Sequence, residues 1–137
     1  MQRQQPKSIL VIDDDADITR IIKRSLQQQM EKGLYYDIQV FNDSQSALEY
    51  FKTNHPNILA IITDIRIPGM SGLDLLSKVK KINPNVNVFL LTGFDIDLIQ
   101  PEVDSLDLDI IQVFQKPLFD VEEEISKKVI EHFQTKT

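Results

Sequence analysis

The chain has 137 residues, enough for one domain with a real core, and its 42% hydrophobic and 26% charged content is ordinary for a soluble globular fold. A net charge of −6 argues against a general nucleic-acid or membrane-surface binder, and the lack of cysteine removes disulfides, thiolate catalysis and cysteine-ligated zinc. His55 and His132 stand far apart and make a poor metal pair. No apolar stretch approaches the ~20 residues of a membrane span, and "MQRQQPK" has no signal-peptide apolar region. A cytoplasmic protein with no membrane contact is expected.

In chain order, "SILVI" (8–12) reads as a short apolar, β-branched strand. Ile18, Ile21, Ile22, Ser25, Leu26 and Met30 then recur at helical spacing, and Gly33 can end that helix. "YDIQVF" (36–41) alternates like a strand, and "DSQSALEYFK" (43–52) is a helix capped by Asp43, with Ala47, Leu48 and Phe51 on its apolar face. Pro56 closes that segment. "ILAIIT" (58–63) is a second buried-type strand. The loop "IPGMSG" (67–72) leads to a helix with Leu73, Leu76, Val79 and Ile82 inside, ended near Asn83-Pro84. "NVFLL" (87–91) and "IIQVFQ" (110–115) are the last strands. Residues 93–109 between them carry Pro101 and five aspartates with poor helical periodicity, so the fourth helix is expected to be short, displaced or mobile. "DVEEEISKKVIEHF" (120–133) is a final helix, with Asp120 and Glu123 as a capping box and Glu123 and Glu124 paired with Lys127 and Lys128.

This is β-α repeated five times. Strands apolar on both faces argue for a parallel sheet covered on both sides by helices, with right-handed crossovers. One domain over residues 7–133 is expected, flanked by short tails at 1–6 and 134–137.

Ligands of open α/β sheets bind outside the carboxyl ends of the strands. Asp13 and Asp14 end the first strand, Asp64 the third, Thr92 the fourth and Lys116 the fifth. Three carboxylates converging without histidine or cysteine form a hard-oxygen site suited to Mg²⁺, which would offset their mutual repulsion. Asp15 and Asp17 have a simpler role at the start of the first helix, where carboxylates cap free N–H groups. A carboxylate beside Mg²⁺ can act as a nucleophile toward a phosphoryl group. Asp64 is the best placed, following the central run and preceding the glycine-containing loop, with Lys116 and Thr92 available to the phosphoryl oxygens.

"ILVIDDD", "IITDIRIPGMSGLDLL", "FLLTG" and "FQKP" resemble, in order and spacing, the receiver domain of two-component response regulators. The resemblance spans roughly residues 7 to 133 and implies a flavodoxin-like, doubly wound (βα)5 fold with strand order 2-1-3-4-5. It implies that Asp64 is the phosphoacceptor, that Asp13, Asp14 and Asp64 hold Mg²⁺ together with the backbone carbonyl of Arg66, that Thr92 is the switch hydroxyl and that Lys116 contacts the phosphate. It makes Lys116-Pro117 the family's Lys-Pro pair, often joined by a cis bond. The implied partners are a histidine kinase or histidine phosphotransfer protein and a downstream protein target, with a homodimer possible and no nucleic acid bound directly.

Two departures stand out. The family's aromatic three residues before the lysine is Val113 here, and the adjacent Phe114 faces the other side of a regular strand. The segment between Thr92 and Lys116 is also longer than usual. A haloacid-dehalogenase-like phosphatase would need a D-x-D-x-T pattern that "DDDAD" does not supply, and a nucleotide or flavin module would need glycine-rich phosphate loops that are absent. A phosphorylation-independent pseudo-receiver is opposed by the complete Asp/Asp/Asp/Thr/Lys set. A phosphoacceptor signalling domain, stand-alone or excised from a longer regulator, is therefore expected, and not a turnover enzyme.

Overall fold

A computed structural model of the chain describes residues 6–30, 35–116 and 121–134. Its elements are β1 (Ser8–Ile12), α1 (Ala16–Gln29), β2 (Asp37–Phe41), α2 (Ser44–Asn54), a short 3-10 turn (His55–Asn57), β3 (Ile58–Asp64), α3 (Gly72–Ile82), β4 (Asn87–Thr92), α4 (Ile96–Ser105), β5 (Ile110–Gln115) and α5 (Val121–Gln134). The strands form one parallel sheet in the order β2-β1-β3-β4-β5. This is the flavodoxin-like topology expected from the sequence.

The apolar strands are explained by a core on each face. Leu10, Ile12, Ile61 and Leu90 pack with Leu48 and Phe51 of α2, Leu76 and Val79 of α3 and Val103 of α4. The alternate positions Ile9, Val11, Ile62, Phe89 and Leu91 pack with Ile22 and Leu26 of α1 and Ile125 and Val129 of α5. The period-two alternation of a strand thus feeds both layers at once. No helix among the described residues is long and apolar enough to cross a membrane.

Helix starts follow the polar residues that precede them. Asp15, Asp43, Ser71 and Asp95 cap α1 to α4, each accepting a hydrogen bond from a backbone N–H of the first turn. The Glu123–Lys127 and Glu124–Lys128 pairs form on α5 at 3.1 and 3.4 Å. Gly33, the Asp120 cap and the Lys116-Pro117 bond lie outside the described residues.

Several expectations change. Residues 96–105 form a helix of ten residues despite Pro101 within it; α4 buries only Val103, which is why its periodicity was weak. On α1, Ile21 is 43% exposed and stands outside the core stripe. On α3, Leu75 is buried as well as Leu73, Leu76 and Val79, while Ile82, expected inside, is only partly covered. Strands β3 and β4 each run one residue further, to Asp64 and Thr92.

The β4–β5 pairing slips between Val88↔Ile110 and Phe89↔Gln112, leaving Ile111 as an extra residue in β5. Beyond it the alternation is regular. Val113 packs on the α2–α4 side, while Phe114 is buried on the α1–α5 side, stacked on Phe89 with centroids 6.2 Å apart. Phe114 does not take the position of the missing aromatic.

Candidate functional site

The carboxyl ends of β1 and β3 are neighbours in the sheet, so Asp13 and Asp14 are delivered beside Asp64. One carboxylate oxygen from each of the three lies within 4.8 Å of the others. Asp13 is fully buried, Asp64 is 7% exposed and Asp14 faces solvent. The Lys116 side chain reaches over the end of β4 and donates to Asp13 Oδ2 at 2.6 Å and to Asp64 Oδ2 at 3.0 Å. Its own backbone N–H donates to the Thr92 carbonyl at 2.7 Å, which fixes where the lysine starts.

These contacts set the charge balance. Burial pushes the Asp13 carboxyl up and the neighbouring Asp64 charge adds to this, while hydrogen bonds from Lys116 and the Asp15 amide only partly oppose it. Burial alone would lower Lys116; the hydrogen bonds to Asp13 and Asp64 and the negative charge of both together outweigh it and hold the ammonium above the ordinary lysine range. One ammonium, held by two of the three carboxylates, leaves an excess of negative charge. The donor set is all hard oxygen, with Asp14 open to solvent, and it fits a small divalent cation.

The backbone around the cluster is tightly specified. A Cβ on Gly72 would lie 1.9 Å from the Asp64 carbonyl oxygen, so α3 can start this close to the strand end only with glycine. Gly69 has φ +89 in the intervening loop, the left-handed region glycine adopts at little cost. Ser44 Oγ donates to the Met70 carbonyl at 2.7 Å and ties that loop to α2.

Thr92 is fully buried at the end of β4, and its Oγ1 accepts from the Phe94 N–H at 2.9 Å. The Arg66 side chain is exposed, its guanidinium carbon 4.4 Å from the centre of the Phe94 ring. The structure therefore brings Asp13, Asp14, Asp64 and Lys116 together, sets Thr92 at the adjoining strand end, and turns the Arg66 side chain to an aromatic partner.

Sequence reasoning missed Asn42, whose Nδ2 donates to the Asp13 carbonyl at 2.9 Å, and Phe94 as the partner of both Thr92 and Arg66. Asn42 directly follows β2 at the same sheet edge, so the strand-end rule that found the aspartates applies to it too.

Comparison with known proteins agrees with this fold. The family model described as response regulator receiver domain matches residues 9–129. Sporulation initiation phosphotransferase F of Bacillus subtilis (strain 168) is 33% identical over 118 residues, 85% of this chain and 86% of that protein. Response regulator receiver protein CpdR of Brucella abortus (strain 2308) is 32% identical over 126 residues, covering 90% of this chain and 98% of that protein. Other curated relatives are longer, and the chain spans 36% of one and 25% of another. Among solved structures, response regulator protein TrrA from Thermotoga maritima, in complex with Mg(2+)-BeF, has TM-score 0.72 at 28% identity over 91% of this chain and 97% of that one. With a family model matched over most of its length and relatives of a third identity covered almost end to end, the chain belongs to the response regulator receiver domain family.

Proposed function

We propose that Asp64 accepts a phosphoryl group, with Mg²⁺ held by the carboxylates of Asp13, Asp14 and Asp64 and by the Arg66 backbone carbonyl. The observation that carries this is the single ammonium of Lys116 bridging Asp13 and Asp64, with Asp14 close enough to complete an oxygen cluster. A bound Mg²⁺ would neutralise charge on the carboxylates and on the transferring phosphoryl oxygens. An Asp64 carboxylate oxygen attacks phosphorus and forms the acyl-phosphate bond. The bond from phosphorus to the donor breaks, and the donor leaves with that electron pair. Lys116, already hydrogen-bonded to Asp64, turns a donor toward the new phosphoryl oxygens, and the Thr92 hydroxyl supplies another.

The donor is a phosphohistidine of a kinase or phosphotransfer protein, and the output is a changed surface read by a protein target. The family match and the complete Asp/Asp/Asp/Thr/Lys set support this reading, and the Mg(2+)-BeF bound by TrrA is consistent with it. Intact mass after incubation with acetyl phosphate and Mg²⁺ tests it. Wild type is expected to gain one base-labile phosphoryl group and Asp64→Asn none, because an amide is not a nucleophile here. Equal labelling of the two proteins would remove Asp64 from the mechanism.

A further inference from the structure

Phe94 is held at both of its backbone polar groups. Its N–H donates to Thr92 Oγ1 at 2.9 Å, and its carbonyl accepts from Gln115 Nε2 at 2.6 Å. The other end of the same amide, Gln115 Oε1, accepts from the N–H of Ile96 at 3.2 Å. Ile96 is the first residue of α4, so that N–H has no carbonyl partner within its own helix. Gln115 is the last residue of β5 and pairs in register with Thr92.

We infer that Gln115 is a positioning residue that clamps the turn after Thr92 to β5, so that movement of the Thr92 hydroxyl reaches β5 and the start of α4 through Phe94 and Gln115. The inference rests on the proposed role of Thr92 as a phosphoryl contact. Val113 has no ring to follow a moving threonine, and Phe114 is committed to the opposite core against Phe89. A hydroxyl drawn toward Asp64 must either release the Phe94 N–H or carry Phe94 with it. In the second case the Phe94 carbonyl pulls on Gln115 Nε2, and the rigid amide plane passes the pull to Ile96. A glutamine suits this place because it needs a donor for one partner and an acceptor for the other.

Amide spectra of the protein with and without beryllofluoride and Mg²⁺, including the Gln115 side-chain NH₂ signal, test the clamp. In wild type, a shift at Thr92 is expected together with shifts of the Gln115 side-chain amide and of Ile96. Gln115→Leu keeps the bulk without the hydrogen bonds; it should keep the Thr92 shift, lose the response at 112–115 and Ile96, and speed hydrogen exchange at Ile96 about 2- to 13-fold, the range of one net hydrogen bond. Gln115→Glu can accept from Ile96 but cannot donate to Phe94, so it should preserve slow exchange at Ile96 while losing the coupled response of β5. A Thr92 shift with a stationary Gln115 side-chain signal, or a wild-type β5 response in either variant, overturns the clamp alone. A wild type in which beryllofluoride leaves Thr92 unmoved overturns the clamp together with the reading it rests on.

Discussion

Four carboxylates crowd residues 13 to 17, and single-residue environments separate their roles. Asp13 is buried against Lys116, Asp14 opens to solvent beside Asp64, Asp15 caps α1, and Asp17 pairs with Arg20. The cap at Asp15 is legible from its place before the helix, whereas Asp17, expected to cap as well, gives its N–H to Asp15 and its side chain to Arg20. The cap at Asp43 is legible in the same way as that at Asp15, and its side chain accepts from the Ser46 N–H at 2.7 Å and from its hydroxyl at 2.8 Å. These bonds hold the Asp43 carboxyl below its ordinary value of 3.8. A lowered carboxylate contributes stability above the unfolded value, and the contribution is lost as pH falls through the lower folded value. Asp43→Ala should therefore cost about 1 kcal/mol near neutral pH, as lost helix caps do. The gap from wild type should close as pH is taken below 3.8. Urea unfolding of both proteins across that range checks it; a gap independent of pH would mean the charge of Asp43 plays no part in the cap.

Elements differ in how much of their reason for existing lies in their own residues. α2 and α3 carry a cap and a continuous apolar face, so both were legible. α4 carries a cap at Asp95 but buries only Val103, leaves Leu98 77% exposed and contains Pro101 at its sixth position. Its helical state depends on what surrounds it, including the Gln115 contact at Ile96, and no periodicity rule sees a contact to another strand. Pro101 leaves the Asp97 carbonyl without its intrahelical donor. Interior proline is about 3 kcal/mol less favourable than alanine in a helix, and a short helix near the surface recovers part of that. Pro101→Ala is accordingly expected to stabilise the protein by about 2 kcal/mol. It should also slow hydrogen exchange along 98–105 more than elsewhere. Exchange in α4 that matches the β-sheet core in wild type would show that α4 is held as firmly as the sheet.

At the scale of the whole molecule, the sheet order puts sequence-distant residues at one edge, so their convergence is legible in the sequence. βα alternation implied a parallel sheet, the family resemblance implied the order β2-β1-β3-β4-β5, and that order places Asp13, Asp64, Thr92 and Lys116 at adjoining strand ends. The ties of Phe94 to Arg66 and to Gln115 were not readable, because polar and aromatic side chains near strand ends have many uses and only distance selects one. The global consequence of the readable part concerns stability. Asp13, Asp14 and Asp64 come from two different strand ends, so their cluster exists in the folded chain and is dispersed in the unfolded one. A cation bound there favours the folded state by mass action, by ~2.7 kcal/mol at about 100-fold above its dissociation constant. Mg²⁺ should thus raise the melting temperature of wild type, and a chelator should reverse the rise. Asp14→Asn removes one of three like charges while leaving the buried Asp13–Lys116–Asp64 contacts in place. That variant should melt higher than wild type in the absence of metal and should no longer respond to Mg²⁺. The metal-free gain should shrink in high salt, since Asp14 faces solvent and its repulsion is screened there. A wild-type melting temperature indifferent to millimolar Mg²⁺, or an Asp14→Asn variant that keeps the full response, would place the cation elsewhere.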